Sequence, residues 1–352
     1  MNEFEFIRSL RRQTRPRRHS ARLVAGIGDD ASVIRQKAGR DLVVTTDLLV
    51  EDIDFCREAT EARALGHKSL AVSLSDIAAM GGRPLWSLLS IGIPAESWRT
   101  RFTDEFYEGY FALADRFGVT LSGGDVSETK SGIVIDSIVM GEVASGAAVL
   151  RSGARPGDQL FVTGTLGGAA AGLKLIQMGA RVSAPGAAAT GSLSADEDPQ
   201  RSETEAIQTL LLRQLRPSPR VGWGMVLGEE RLATSMIDIS DGLSSDLKHL
   251  CDESGNGALI QSASLPLDND VVRLCGRRAL DPLALALHGG EDFELLFTVR
   301  PDNISRLPKR VDGVEISCIG EITNASGIIR LTEKDRVWDL QPKGFEHFKS
   351  SA

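Results

Sequence analysis

Two domains of mixed α/β type are the architecture this sequence predicts, on three observations. The chain has 352 residues, more than one ordinary domain needs and enough for two of about 150 each. Short β-branched runs alternate with segments of helical apolar period along both halves. Around residues 146–158 the composition shifts to Ala, Gly and Arg and ends in RPGD. The boundary is placed there, dividing the chain into an N-terminal domain, 1–148, and a C-terminal domain, 149–352.

The elements follow in order. DLVVTT, residues 41–46, reads as a strand that ends at Asp47. Residues 68–80 read as a helix, because Leu70, Leu74 and Ile77 share a face and Gly81-Gly82 stops it. LWSLLSIGI, 85–93, is a buried strand closed by Pro94. A helix over 97–117 follows, with Gly118 just past its end. Leu121 leads into SGGD, and 133–143 returns as a strand. In the second half QLFVTG, 159–164, is a strand running into a helix that starts at Gly-Gly. Residues 180–201 are rich in Ala, Ser, Gly and Pro without apolar period, and read as a mobile insertion. A helix, a strand over 233–239, a helix over 242–252 and a buried strand over 293–299 complete the pass. Each half has a strand that runs into an Asp-rich turn, and no short tandem repeat is visible.

Composition narrows the function. Hydrophobic residues are 42% and charged residues 25%, an ordinary balance that lets each half bury a core. A formal net charge of −8 argues against a nucleic-acid surface. One basic run, Arg8, Arg11, Arg12, Arg15, Arg17 and Arg18, reads as a solvated arm, with contact to an anionic partner as the alternative. No apolar stretch approaches the roughly 20 residues of a membrane span, and the N-terminus lacks a signal-type apolar core. Cys56, Cys251, Cys275 and Cys318 are scattered with no CxxC. That spacing suits a reducing, cytoplasmic setting with no disulfide framework and no structural zinc.

The chemistry is carried by acids placed where solubility does not require them. Asp29 and Asp30 sit in GIGDDA, Asp47 ends an apolar strand, and Asp76 lies in LSDIAAMGG. Asp125 ends SGGD, Asp238 and Asp241 sit in IDISDGL, and Glu291 and Asp292 occupy GGED ahead of FELLF. A carboxylate beside a core is costly unless paired or coordinated, and these segments contain no Lys or Arg of their own. Hard divalent cations answer that need, since Mg²⁺ takes oxygen ligands and keeps phosphate oxygens alongside. Thr45, Thr46, Ser75 and Ser240 add hydroxyls of the same type. Each acid also has a plain structural reading: a turn cap at Asp29 or Asp30, a backbone-bonded helix residue at Asp76, an N-cap at Asp241, a turn residue at Asp125, a strand-entry cap at Glu291. The signal is the set.

Two glycine-rich turns can cradle phosphate: GGD at 123–125, and TGTLGGAAAGL, 163–173, where a strand meets a helix start. A tight turn with close helix packing is the competing reading of the second. G-x-x-x-x-G-K-[ST] is absent, which excludes a P-loop enzyme, and no Rossmann fingerprint follows a strand. His67, His249 and His288 lack zinc spacing and read as core or surface residues; G-x-S-x-G is absent.

Taken together, GIGDDA, TTDLLVEDIDF, KSLAVSLSDIAAMGGRP, SGGD, RSGARPGD, TGTLGGAAAGL, RPSPR, IDISDGLSSDL and GGEDFELLF resemble, in the same order, the thiamine-monophosphate kinases. The likeness spans about residues 26–348. It implies the aminoimidazole ribonucleotide synthetase-like fold, with two α/β domains and a β-barrel formed by the N-terminal domains of a homodimer. It implies direct in-line transfer of the ATP γ-phosphoryl group to thiamine monophosphate, with several Mg²⁺ ions and no phosphoenzyme. By position, Asp30, Thr45, Thr46, Asp47, Asp76, Asp125, Asp238 and Asp241 match magnesium ligands. Gly124, Asp125, Arg151 and Ser240 match nucleotide contacts, joined by Tyr107 or Tyr110. Glu291 and Phe345, the latter in KGFEHF, match positions near the thiamine moiety. Family members often carry His at the position of Asp54; an acid there can face the cationic thiazolium instead. The alternatives are another ATP-dependent enzyme of the superfamily, of the purine-pathway or selenophosphate synthetase type, and a non-catalytic nucleotide-binding protein. No cysteine precedes Cys56 and the chain ends FKSSA, unlike the selenophosphate synthetases and the hydrogenase-maturation enzyme.

Overall fold

In a computed structural model, residues 23–25, 29–35, 39–183, 202–334 and 336–345 are described. The arginine run at 8–18 and residues 184–201 of the Ala-Ser-Gly-Pro stretch lie outside them. The N-terminal half runs β1 (Leu23–Ala25), β2 (Ser32–Arg35), β3 (Arg40–Val50), α1 (Ala62–Ala79), β4 (Arg83–Pro94), α2 (Ala95–Trp98), α3 (Phe102–Phe117), β5 (Thr120–Thr129) and β6 (Val134–Ala144). Its strands form one sheet in the order β1-β2-β3-β6-β4-β5. Neighbours are antiparallel except β4 and β5, whose parallel pairing is what a helical crossover allows.

The alternation of β3 sets up the site. Val43, Thr45 and Leu49 are buried on the inward face, while Thr46 and Leu48 are exposed on the outward one. Against the inward face lies α1, whose residues are nearly all buried. That burial explains why the sequence shows only its last two thirds: a helix covered on every side has no polar face, so Ala62 to His67 carry no amphipathic period. Contact with α3 is close. A Cβ on Gly66 would stand 1.9 Å from the Phe106 carbonyl oxygen, and one on Gly109 would stand 1.8 Å from that of Arg63.

Three expectations change here. The strand expected to end at Asp47 continues to Val50, so that acid lies within β3. The single helix over 97–117 is two helices, because the Thr100 hydroxyl donates to the Ser97 carbonyl and accepts from the Phe102 amide, resetting the chain between them. SGGD is not a turn but the middle of edge strand β5. Gly124 is required there, since a Cβ would fall 1.9 Å from the Leu89 carbonyl oxygen of β4.

The C-terminal half runs β7 (Gln159–Thr163), α4 (Gly168–Gln177), α5 (Glu203–Leu215), α6 (Val221–Glu229), β8 (Ala233–Asp238), α7 (Leu243–Ser254), β9 (Gly257–Gln261), α8 (Asn269–Arg278), α9 (Pro282–His288), β10 (Leu295–Val299), β11 (Arg310–Val311), β12 (Val314–Thr323), β13 (Ile329–Glu333) and β14 (Arg336–Asp339). The sheet order is β14-β13-β9-β12-β7-β10-β8, with β11 paired to β12. Strand β10 is buried on both faces, as its unbroken LLFTV run predicts. One face, with Leu160, Ile237 and Leu296, packs on Leu243, Leu247 and Leu250 of α7. The other, with Phe161, Met236 and Phe297, joins the core that contains α1, α3 and the N-terminal sheet. Helix α1 thus lies between the two sheets, and polar residues on it can reach loops from both halves.

Candidate active site

Three acids from distant segments meet at that junction. Asp30 is in the bend before β2, Asp76 is on α1, and Asp238 ends β8, an edge strand of the C-terminal sheet. One carboxylate oxygen of each lies within 4.8 Å of the other two. Hydroxyls steer them. Ser75 donates to Asp238 at 2.6 Å, Ser73 donates to Asp47 at 2.7 Å, and Thr45 donates to Asp76. Strand alternation explains why Thr45 and Asp47 both face α1 and share this cluster.

The cluster is electrostatically unbalanced. Burial, followed by the charges of Asp136 and Asp30, pushes the Asp47 carboxyl up to about 6 against the pull of its Ser73 bond. Burial and neighbouring carboxylates also hold Asp76 and Asp238 well above the usual range. Among the described residues the guanidinium at hand is Arg151, which grips Asp30 in a fork, Nε at 2.9 Å and Nη2 at 2.7 Å. Its backbone amide donates to Asp29 at 2.9 Å. Four carboxylates facing one fixed cation, all with oxygen donors, make a set that a hard divalent ion fits. The acidic segments carry no basic residue of their own, and Arg151 reaches Asp30 from a distant segment of the chain.

The remaining candidates fall into three places. Thr46 and Asp125 are on the outward side of the N-terminal sheet. Thr46 donates to Asp136 at 2.6 Å, and Ser90 stands opposite both Asp136 and Asp125 in the strand register. Sequence reasoning missed Asp136, which reads as an ordinary polar position of an alternating strand. Tyr107 lines an open groove of about 630 Å³ with Ile91, Trp98, Phe111 and Val126. Its alternative, Tyr110, is buried in the core.

The third place is the loop pair around Asp241 and Glu291. Asp241 does not cap α7. Instead the buried Asp246, also missed, accepts from the amides of Asp241 at 3.2 Å and Gly242 at 3.0 Å. It sits in the first turn of a helix, where an acid is commonplace, so nothing marked it. The Glu291 amide donates to the Ser240 carbonyl at 2.8 Å, and the Phe345 amide to the Asp241 carbonyl at 3.1 Å. The tail and the GGED loop therefore both lie on the IDISDGL turn. Glu291 is paired with Lys68 of α1. Asp54 accepts from the Val50 amide at 2.8 Å, so its carboxylate anchors the turn after β3.

Two readings are corrected by Asp292. Its carboxylate accepts from the amides of Gly167 at 2.6 Å and Ala169 at 3.0 Å. The second glycine-rich phosphate cradle is thus filled by a side chain of the chain itself, and Asp292 is a helix cap rather than a metal-facing acid. Two of the histidines make internal contacts. His67 Nε2 lies 2.7 Å from the Pro217 carbonyl, and His288 Nδ1 lies 2.9 Å from the Ser244 hydroxyl.

Residues 28–143 match the family described as AIR synthase related protein, N-terminal domain. The chain is 34% identical to a thiamine-monophosphate kinase of Bacillus subtilis (strain 168) over 354 aligned positions, 99% of this chain and 100% of that protein. It is 36% identical to the one of Escherichia coli (strain K12) over 331 positions, 92% of this chain and 91% of that one. A solved structure described as AaThiL complexed with AMPPCP and TMP matches with a TM-score of 0.80 at 30% identity, covering 99% of this chain and 97% of that chain. Sequence and fold agree over the whole length: the chain belongs to the thiamine-monophosphate kinase family.

Proposed function

We propose that this chain transfers the γ-phosphoryl group of ATP to the phosphate of thiamine monophosphate, giving thiamine diphosphate and ADP. One observation carries the reading. Asp30, Asp76 and Asp238 bring oxygens within 4.8 Å of one another in a chain that aligns end to end with thiamine-monophosphate kinases.

Phosphoryl transfer asks the protein for alignment and charge neutralisation rather than covalent chemistry. Here two anions must approach. An oxygen of the acceptor phosphate attacks the γ-phosphorus, the bond to the β,γ-bridging oxygen breaks, and ADP leaves with the electron pair. The acceptor oxygen is already ionised near neutral pH, so no general base is needed. That matches a site whose side chains are acids and hydroxyls, with His67 engaged by the Pro217 carbonyl.

Asp30, Thr45, Thr46, Asp47, Asp76, Asp125, Asp238 and Asp241 are assigned to Mg²⁺, which when bound neutralises the phosphates. The hydroxyl bonds to Asp47, Asp76 and Asp238 hold these carboxylates aimed at the junction before any ion arrives. Tyr107, Gly124, Asp125, Arg151 and Ser240 are assigned to the nucleotide. Glu291 and Phe345 are assigned to the thiamine moiety, and Asp54, anchored by the Val50 amide, to its thiazolium. Residues 1–148 form the nucleotide and dimerisation domain and 149–352 the domain that completes the acceptor site. The exposed outward side chains Leu48 and Trp86 support a homodimer in which two N-terminal sheets close into a barrel. The four cysteines are free, in keeping with a cytoplasmic enzyme.

The test is an ADP-coupled assay with thiamine monophosphate, with and without Mg²⁺. Metal-dependent turnover is expected. Turnover only with a purine-pathway acceptor would reassign the chain within the superfamily, and ATP binding without turnover on either acceptor would make it a binding protein.

A further inference from the structure

Lys68 has no part in the acidic cluster, yet it is only 1% exposed on the central helix. A buried ammonium is costly unless paired. Its Nζ meets Glu291 Oε1 at 2.5 Å, and Gln214 Nε2 donates to the other oxygen, Oε2. The two clamps come from different elements, α1 and α5. Gln214 is 4% exposed, and its own Oε1 is buried with no hydrogen-bond partner among the described residues.

The clamped residue is held in an unusual backbone. Glu291 has φ +65° and Phe293 φ +49°, a region that residues other than glycine enter only under constraint. The Glu291 amide is tied to the Ser240 carbonyl at 2.8 Å. Even so, its side chain remains 27% exposed.

We propose that Lys68, with Gln214, is a positioning residue for acceptor specificity: it fixes the Glu291 carboxylate at a set distance along α1 from the acidic cluster. Lys68 and Asp76 are separated by roughly 12 Å of helix axis, at 1.5 Å per residue. One rigid element thereby sets the span between the reacting phosphate and an acid suited to a cationic ring. An acceptor with phosphate at one end and positive charge at the other satisfies both ends. This rests on the reading of Glu291 as an acceptor contact.

The test uses the full-length enzyme and the variants Lys68→Met, Gln214→Met, Glu291→Gln and Lys68→Met/Glu291→Gln. The KM values for thiamine monophosphate and ATP, kcat and Tm are measured for each. Each single variant should raise the KM for thiamine monophosphate about tenfold, with kcat and the KM for ATP changed less than about threefold. The double variant should match Glu291→Gln alone, because Lys68 acts through that carboxylate. Gln214→Met keeps the Lys68–Glu291 pair and carries the test if Lys68→Met does not fold. A Lys68→Met effect spread evenly over kcat and both KM values, or multiplying with that of Glu291→Gln, overturns the proposal. So does silence of both clamp variants while Glu291→Gln is impaired. If Glu291→Gln leaves the acceptor KM unchanged, the assignment of Glu291 itself fails.

Discussion

Asp47 shows what the acidic cluster costs the protein when no cation is bound. Its folded pKa of about 6 exceeds the ordinary 3.8, so between those values the folded state holds a proton that the unfolded chain has lost. The corresponding stability is present below about pH 4 and is lost as pH rises through 6. Asp76 and Asp238 are shifted in the same direction. In EDTA, Asp47→Asn should therefore be more stable than the parent at pH 8, by about 2 kcal/mol. The gap should close toward pH 4, and Mg²⁺ should reverse the order because the variant lacks the charge. Burial also draws His67 and His249 down to about 4, but those residues are common to both proteins and cancel in the difference. Urea melts at several pH values measure the gap, and a pH-independent difference would contradict the assignment. Turnover by Asp47→Asn should be lost at every pH. Most of this was legible in the sequence, because an acid beside glycine or in an apolar strand looks out of place. Asp136 and Asp246 were not legible, since a polar residue in an alternating strand and an acid in a first helical turn look ordinary.

At the scale of elements, helix starts and strand ends decide where charge can be held. The amino end of α4 follows a strand and carries Gly167 and Gly168, so from sequence it offers bare amides to a phosphate. In the fold those amides are met by Asp292, which is buried and has its carboxyl raised to about 6, burial outweighing Arg213 and the two amides. The prediction is specific to a cap. Asp292→Ala should lower stability by about 1–2 kcal/mol and leave the KM for ATP within about twofold of the parent. Chemical denaturation and steady-state kinetics separate the two outcomes; a selective loss of ATP affinity would return this helix end to the phosphate site. No local pattern distinguishes the cases, because the capping carboxylate lies more than a hundred residues along the chain. Helix α1 teaches the converse. Its site residues Ser75 and Asp76 stood out, whereas Ser73 and the first third of the helix did not, because a helix buried all round shows no period.

At the scale of the molecule, the sequence announced two mixed α/β halves and an ordered run of acidic motifs. It could not show that one helix would lie between the two sheets, in a core that draws on both halves, which is what brings Asp76 to Asp238. It also leaves an outward sheet face to be accounted for. Trp86 is 44% exposed and Leu48 59% exposed, on the side opposite α1, and register places Met140 against Trp86 and Asp136 against Leu48. Large apolar side chains on a sheet face are the ordinary mark of a surface that binds. If two copies close this face into a barrel, Trp86 is an anchor, and its replacement by a charge should be felt first in association. Trp86→Arg should weaken the dimer about 100-fold, about 3 kcal/mol, read by light scattering or sedimentation over a dilution series. Trp86 stands across from Met140 and Thr120 rather than from Asp136 or Asp125, so the variant disturbs the face without touching the proposed ligands. Activity should then follow the dimer fraction if the second copy helps to form the site. A dimer of unchanged affinity would mean that copies associate through another surface and that the N-terminal sheets do not close on each other.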